Sequence, residues 1–312
     1  MRIMMTRLIF KILIILLPLP AAGQLHPLWD QYFNNTLAIN PAFAGSHEAL
    51  SGTVFYRTQW AGFKGAPKNQ SLSLHSPVFS ERIGLGVVVE ANSIGIYKTT
   101  NFMGNYAWRM NLFDGRLAMG LGFGLTGFNI AWDELKVNDI DDIILTDRPA
   151  SLLLPNFSMG IYYYSDRYYF GLSVPMLLSY ETDQITGRYR SRNRISNYNY
   201  FLNGGYLIEL GDGVDIMPSV LIKYRYRHIA QVDINAQVIL QDIVWLGLGY
   251  RNKYNLVGNF QCRINYQLRL GYSYSFDLGP VGRYARGSHE IMLNYVFRYK
   301  KDLVGPRDFG LN

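Results

Sequence analysis

Strict alternation over residues 288–299, S-H-E-I-M-L-N-Y-V-F-R-Y, constrains this chain more than any other feature. Ile291, Leu293, Tyr295, Phe297 and Tyr299 share one parity, and Glu290, Asn294 and Arg298 share the other. A period of two marks a strand, because successive side chains of extended backbone point to opposite faces. Aromatic residues crowd the far end, and the polar parity mixes an amide with charges. That combination suits a sheet with hydrocarbon outside and a polar lumen inside. In a soluble sandwich the polar parity would face water, so the rest of the chain must decide between the two.

The pattern recurs. Fourteen alternating runs are separated by turn signals, over 48–58, 69–78, 82–91, 98–110, 115–128, 156–164, 168–178, 197–210, 214–226, 229–240, 243–251, 256–264, 267–276 and 288–299. Val214, Ile216, Pro218, Val220, Ile222 and Tyr224 share one parity, and Gln231, Asp233, Asn235 and Gln237 alternate with Val232, Ile234, Ala236 and Val238. Even-numbered connections are tight, whereas most odd-numbered ones are longer, notably 129–155, 179–196 and 277–287. The ninth connection, near Arg227, breaks this rule. Bacterial outer-membrane barrels have even strand numbers, short periplasmic turns and longer external loops. The predicted fold is therefore all-β: a transmembrane antiparallel outer-membrane β-barrel of fourteen strands over 48–299. An even count starting in the periplasm also returns the tail, 300–312, to the periplasm.

Targeting agrees with export. Arg2, Arg7 and Lys11 precede an apolar run over 12–19, and Ala21, Ala22 and Gly23 follow, so residues 1–23 read as a signal peptide. No later segment approaches the ~18 consecutive apolar residues of a spanning helix, so any membrane crossing uses strands. The 312 residues hold 24 Tyr, 17 Phe and 5 Trp against only 17% charged residues, too aromatic and too uncharged for an ordinary soluble domain. The three signal-peptide cations reduce the formal excess from +7 to +4 when removed, and no Lys/Arg run forms a phosphate footprint, so nucleic acid is not an expected partner. The single cysteine, Cys262, excludes an internal disulfide.

Residues 24–47 do not alternate. Pro41 and Gly45 interrupt any regular element, yet Trp29, Tyr32, Phe33 and Phe43 need burial at ~25 cal/mol per Å² of apolar area. A barrel of this size has a lumen to fill, and glycine faces at Gly120, Gly122, Gly124, Gly247 and Gly249 leave room. The expectation is an irregular plug that enters from the periplasmic side and closes the pore.

Chemical signatures are missing. His26, His47, His75, His228 and His289 have no metal-ligand spacing, and no nucleophile elbow occurs. Gly122, Gly124 and Gly127 match the spacing of a dinucleotide fingerprint, but no helix follows. Asp139, Asp141 and Asp142 lack the remaining ligands of a calcium loop. No catalytic residue, cofactor or metal site is expected, and His289, Glu290 and Arg298 read as structural pairing in a polar lumen.

Several separated motifs resemble one family. N-P-A-F-A-G-S at 40–46 and Y-R-T-Q-W-A-G-F-K-G-A-P at 56–67 resemble the start of PorP/SprF proteins of the Bacteroidota type IX secretion system. P-S-V-L-I-K-Y at 218–224, D-I-N-A at 233–236, W-L-G-L-G-Y-R at 245–251, G-Y-S-Y at 271–274 and G-S-H-E-I-M-L at 287–293 fit the same pattern. K-Y-R-Y-R-H at 223–228 departs from it, since relatives carry a softer turn there. The resemblance singles out Asn40, Pro41, Gly45, Tyr56, Arg57, Trp60, Gly65, Pro67, Ser288, His289 and Glu290 as family-motif positions. It implies a non-enzymatic, integral outer-membrane component of the secretion and gliding apparatus, supporting export or surface attachment of proteins such as adhesins. Implied partners are outer-membrane lipid, the periplasmic ring and motor components, and a secreted surface protein. The competing expectation is a channel for small or hydrophobic solutes.

Overall fold

The computed structural model describes residues 29–78, 81–131, 151–178, 180–182, 189–191, 193–252 and 254–297. The expected signal peptide at 1–23, the expected tail at 300–312, Arg298, and Asp139, Asp141 and Asp142 lie outside them.

The chain forms a closed meander of fourteen antiparallel strands. In order these are β1 (Leu50–Thr58), β2 (Lys68–Val78), β3 (Ile83–Ile94), β4 (Tyr97–Leu112), β5 (Gly115–Ile130), β6 (Ser151–Ser165) and β7 (Tyr168–Val174). A small hairpin, β8 (Tyr180–Thr182) with β9 (Tyr189–Ser191), then stands apart from the barrel. The wall resumes with β10 (Tyr200–Tyr206) and β11 (Ile208–Gly211), which both pair with β12 (Val214–Tyr224) and are one strand interrupted at the inward-turned Leu207. It continues through β13 (Gln231–Leu240), β14 (Val244–Arg251), β15 (Asn255–Arg263), β16 (Leu268–Asp277) and β17 (Ser288–Phe297). Pairing of β1 with β17, from Leu50 opposite Phe297 to Thr58 opposite His289, closes the ring, so the barrel has no free edge.

Alternation dictates which face each residue takes. In β2 exposed and buried positions alternate, Leu72 and Leu74 facing out while Ser71, Ser73 and His75 face in. In β17 Ile291, Leu293 and Phe297 face out and Glu290, Met292 and Asn294 face in. The outer face is largely apolar, with Leu121 65% and Leu248 77% exposed, as a lipid-facing wall requires. Tyr163, Tyr168 and Tyr206 stack outside one end of the wall at centroid separations of 5.8 and 6.3 Å, and Tyr224, Tyr250 and Tyr254 lie exposed toward the other. These are the two aromatic girdles of a membrane barrel. Among the described residues no helix is long and apolar enough to cross a membrane.

The two ends differ as the connections predict. One end carries tight turns, such as Asp166 with Arg167 and Asp212 with Gly213; the other carries the long connections. Two details differ from expectation. The ninth connection, 225–230, is not unusually short, whereas the third contracts to Gly95 and Ile96, because β3 and β4 keep pairing to Ile94 and Tyr97. The connection at 179–196, read as a plain loop, contains the hairpin.

The lumen is filled by the N-terminal segment, in two single 3-10 turns (Tyr32–Asn34 and Pro41–Phe43) and one helical turn (Thr36–Ile39). Trp29, Tyr32, Phe33, Leu37, Ile39 and Phe43 are all at most 4% exposed. Trp29 packs on Phe55 and Met292, Tyr32 and Phe33 on Phe201 and Leu221, and Phe43 on Tyr162, so the plug's aromatic rings meet apolar wall residues that face inward. The direction of the plug reverses the expectation. Trp29 and Asp30 sit in the half of the lumen nearer the long loops, against Phe55 and Arg57, and Glu48 sits at the turn-bearing end, against Arg116. The chain therefore descends from the loop end and enters β1 from the turn end. The glycines that make room are also partly different: a Cβ on Gly84 would run into the Ala44 carbonyl and one on Gly120 into Ala42, whereas Gly247 and Gly249 accommodate the wall side chains of Asn259 and Asn235.

Candidate functional site: a plug latched at both ends

At the loop end the plug meets charge. Glu290 accepts hydrogen bonds from the backbone N–H groups of Asp30 at 2.8 Å and Gln31 at 2.9 Å, so an inward carboxylate holds the start of the plug by its main chain. Asp30 in turn pairs with Arg57 at 2.9 Å and Arg251 at 3.2 Å. Arg251 also donates to Asp233 at 2.8 Å and to the Trp29 carbonyl at 3.4 Å, and Arg57 lies 3.7 Å from Glu290. Three carboxylates and two guanidiniums thus interlock, all buried. Removing charges from water is costly, and only dense pairing and hydrogen bonding offset that cost. Strand register assembles the cluster: Arg57 opposes Glu290 across β1 and β17, and Asp233 opposes Arg251 across β13 and β14.

Mid-lumen, Asn40 caps the turn Pro41–Phe43 by accepting from the Ala42 N–H at 3.0 Å, and its amide donates to the Ile161 carbonyl at 3.0 Å. Pro41 takes the first position of that turn, where its missing N–H costs nothing. Tyr32 meets Ser219 at 3.0 Å, and Ser173 donates to the Ile39 carbonyl at 2.6 Å.

At the turn end, Gly45 adopts a φ of +75° and approaches Gly84 so closely that a Cβ would meet the Gly84 Cα at 2.8 Å. Its N–H donates to His75 Nδ1 at 3.1 Å and its carbonyl accepts from Arg109, which is 1% exposed. Arg116 then bridges Glu48 and Glu81 at the rim.

The family-motif positions thus divide. Asn40, Pro41 and Gly45 shape the plug, and Arg57 and Glu290 latch it. Ser288 and Trp60 are joined at the loop rim, where Ser288 Oγ accepts from the Trp60 N–H at 3.1 Å. Gly65, with a φ of +74°, and Pro67 shape the first loop, accepting from the N–H groups of Gly95 and Gln59 at 2.9 Å each. Tyr56 and His289 have the opposite parity and stay outside the lumen. His289 meets Tyr272 at 2.8 Å, so it does not pair with the adjacent Glu290 as expected. Asp30, Asp233, Arg251, Arg109 and His75 complete the latches without having been singled out. Asp233 and Arg251 do fall inside the D-I-N-A and W-L-G-L-G-Y-R motifs, which was the available signal.

Among the described residues, no group of three or more His, Cys, Asp or Glu is placed to hold a metal. The arrangement is mechanical: it fixes an irregular segment inside a barrel.

Comparison with known proteins places the fold and the family. The CymD monoaromatic hydrocarbon channel matches over 89% of this chain and 95% of its own, with a TM-score of 0.50 and 12% identity. The outer membrane protein Omp33 of Acinetobacter baumannii matches over 80% of this chain and 100% of its own, with a TM-score of 0.47 and 6% identity. At 12% identity the likeness to the CymD channel is one of fold. No curated protein matches the chain. The family description "Type IX secretion system membrane protein PorP/SprF" matches residues 21–295. With most of its length matched, the chain belongs to the PorP/SprF family of type IX secretion system membrane proteins.

Proposed function

We propose that this protein is a non-enzymatic, closed outer-membrane platform that supports type IX secretion, or the surface attachment of exported proteins such as adhesins, and not a solute channel. The observation that carries the reading is the latched plug: a segment buried from Trp29 to Ser46 runs the height of the lumen and is ion-paired or hydrogen-bonded to opposite sides of the wall. A pore for solutes needs a path through the lumen, and this filling weighs against one. A platform needs two rigid faces instead. The turn-bearing face, toward which Phe297 leads the C-terminus, suits the periplasmic ring and motor components, and the loop-bearing face, where Trp29 stands, suits a secreted surface protein. Lipid surrounds the wall.

Gene deletion tests the reading. Loss of secretion or surface display of type IX cargo, restored by the wild-type gene, supports it. Retained secretion and display with a defect confined to solute uptake overturns it in favour of a channel.

A further inference from the structure

The outward face of the wall carries a groove on β2 to β6. One cross-strand row there runs Leu74, Val87, Gly104, Phe123 and Phe157, and Gly104 leaves a notch in it. Phe123 and Phe157 stand 5.3 Å apart on one side of the notch, and Leu74 and Val87 border the other. With the next row, from Leu85 to Met159, they line a space of about 800 Å³. A Cβ on Gly104 would meet only the Phe123 carbonyl, at 3.6 Å, so the notch is open and not a tight backbone approach.

Small side chains lead from the groove to the loop end. Val89, Ala91 and Ser93 follow Val87 on the outward parity of β3. At the top Ser93 lies between Lys68 of β2 and Lys98 of β4, both exposed. Two strand spacings place the lysine backbones ~10 Å apart, near enough for both long side chains to reach one anion. Thr58 beside Lys68 and Asn129 beside Lys98 add hydrogen-bonding groups. Among the described residues, no Asp or Glu shares the outward face of β1 to β5 at this end.

Spacing identifies the occupant. Lys68 and Lys98 each stand six residues from Leu74 and Gly104 along their strands. At ~3.3 Å per residue and a tilt of ~40°, that is ~15 Å along the membrane normal, half of a ~30 Å hydrocarbon core. An apolar groove at mid-depth below two cations at headgroup level fits a lipid of the loop-end leaflet, with its phosphate between the lysines and an acyl chain following β3 into the notch. An apolar segment of a partner protein would fill the groove without using the lysines. We propose that this face of β2 to β6 is a binding site for a single anionic, phosphate-bearing lipid, distinct from the lipid that solvates the rest of the wall. The proposal does not depend on the role in secretion.

The test uses the full-length protein refolded in neutral detergent, with dimyristoyl phosphatidylglycerol or dimyristoyl phosphatidylcholine as the probe. The chains are identical, so only the headgroup charge differs. Native mass spectrometry counts the lipids bound, and each variant is compared as its folded, heat-modifiable form. The expected result is a first lipid held several-fold more tightly as phosphatidylglycerol than as phosphatidylcholine. Lys68→Gln with Lys98→Gln should abolish that preference. Gly104→Leu should weaken the first binding of both lipids several-fold, whereas Gly258→Leu, on the outward face of β15 where a Cβ meets nothing within 4 Å, should leave it unchanged. Equal affinity for the two lipids in the wild type would overturn the site, as would a preference that survives the lysine changes or binding indifferent to Gly104→Leu. A wild-type dimer that Gly104→Leu separates would assign the groove to a second copy and overturn the lipid site too.

Discussion

Asp30 Oδ1 lies 2.9 Å from Arg57 Nη2, and at this contact the irregular N-terminal segment becomes part of the barrel. Arg57 belongs to the first strand and also faces Glu290 of the last, so the ion pair spans plug, opening strand and closing strand. The seam of the barrel and the anchoring of the plug are one structure.

Breaking that cluster should be expensive. Arg57→Ala leaves Asp30 with Arg251 alone and Glu290 with backbone donors, and removing one partner of a buried pair costs about 3 to 5 kcal/mol. Because Arg251 remains, the lower end is expected, read as a lower urea midpoint of the folded band. Asp30→Asn combined with Arg57→Ala should cost less than the sum of the two single changes.

The close contacts at Gly84 and Gly120 predict a second outcome. Valine at either position collides with plug backbone at Ala44 or Ala42, where no flexible side chain can yield. Both variants should expel the plug or fail to fold, with protease access to residues 29–44 as the measurement. Gly258→Ala, where a Cβ meets nothing within 4 Å, should behave as wild type.

The outer wall predicts a third. Leu248 is 77% exposed and Leu293 39% exposed, both on the lipid-facing parity. Arginine at either position should cost about 2 to 4 kcal/mol near the bilayer midplane, whereas Leu248→Phe should be neutral. Folding yields into phospholipid vesicles, compared with wild type, would expose a wrong parity as tolerance of both arginines.

Orientation is testable on a Cys262→Ser background. A cysteine at Lys64, exposed in the first long loop, should react with an impermeant maleimide on intact cells, and one at Asp212, in a tight turn, should react only after the outer membrane is opened. The reverse labelling would invert the barrel.

Much of this was readable beforehand because it depends on parity. Period two at Glu290, Met292 and Asn294 places three side chains inward, whatever they meet. The plug was readable for a different reason: Trp29, Tyr32, Phe33 and Phe43 carried too much apolar surface for water and no alternation to place them in the wall. What parity does not encode is what meets what across the lumen. Asp30, Arg57, Asp233, Arg251 and Glu290 come from five separated stretches, and only barrel closure brings them together. Gly84 and Gly120 look like Gly247 and Gly249 in the sequence, yet the first two face plug backbone and the others neighbouring amides. The direction of the plug was likewise hidden, because its aromatic rings demand burial without specifying which end enters first. His289 and Glu290 illustrate the converse, adjacent in sequence and on opposite sides of the wall.

The central claim is that the lumen is closed by the chain's own N-terminal segment. Planar-bilayer conductance of the purified full-length protein tests it most directly. The account predicts a nearly silent bilayer, with stable steps appearing only when residues 24–44 are deleted. Sustained porin-like conductance from the intact protein would contradict it.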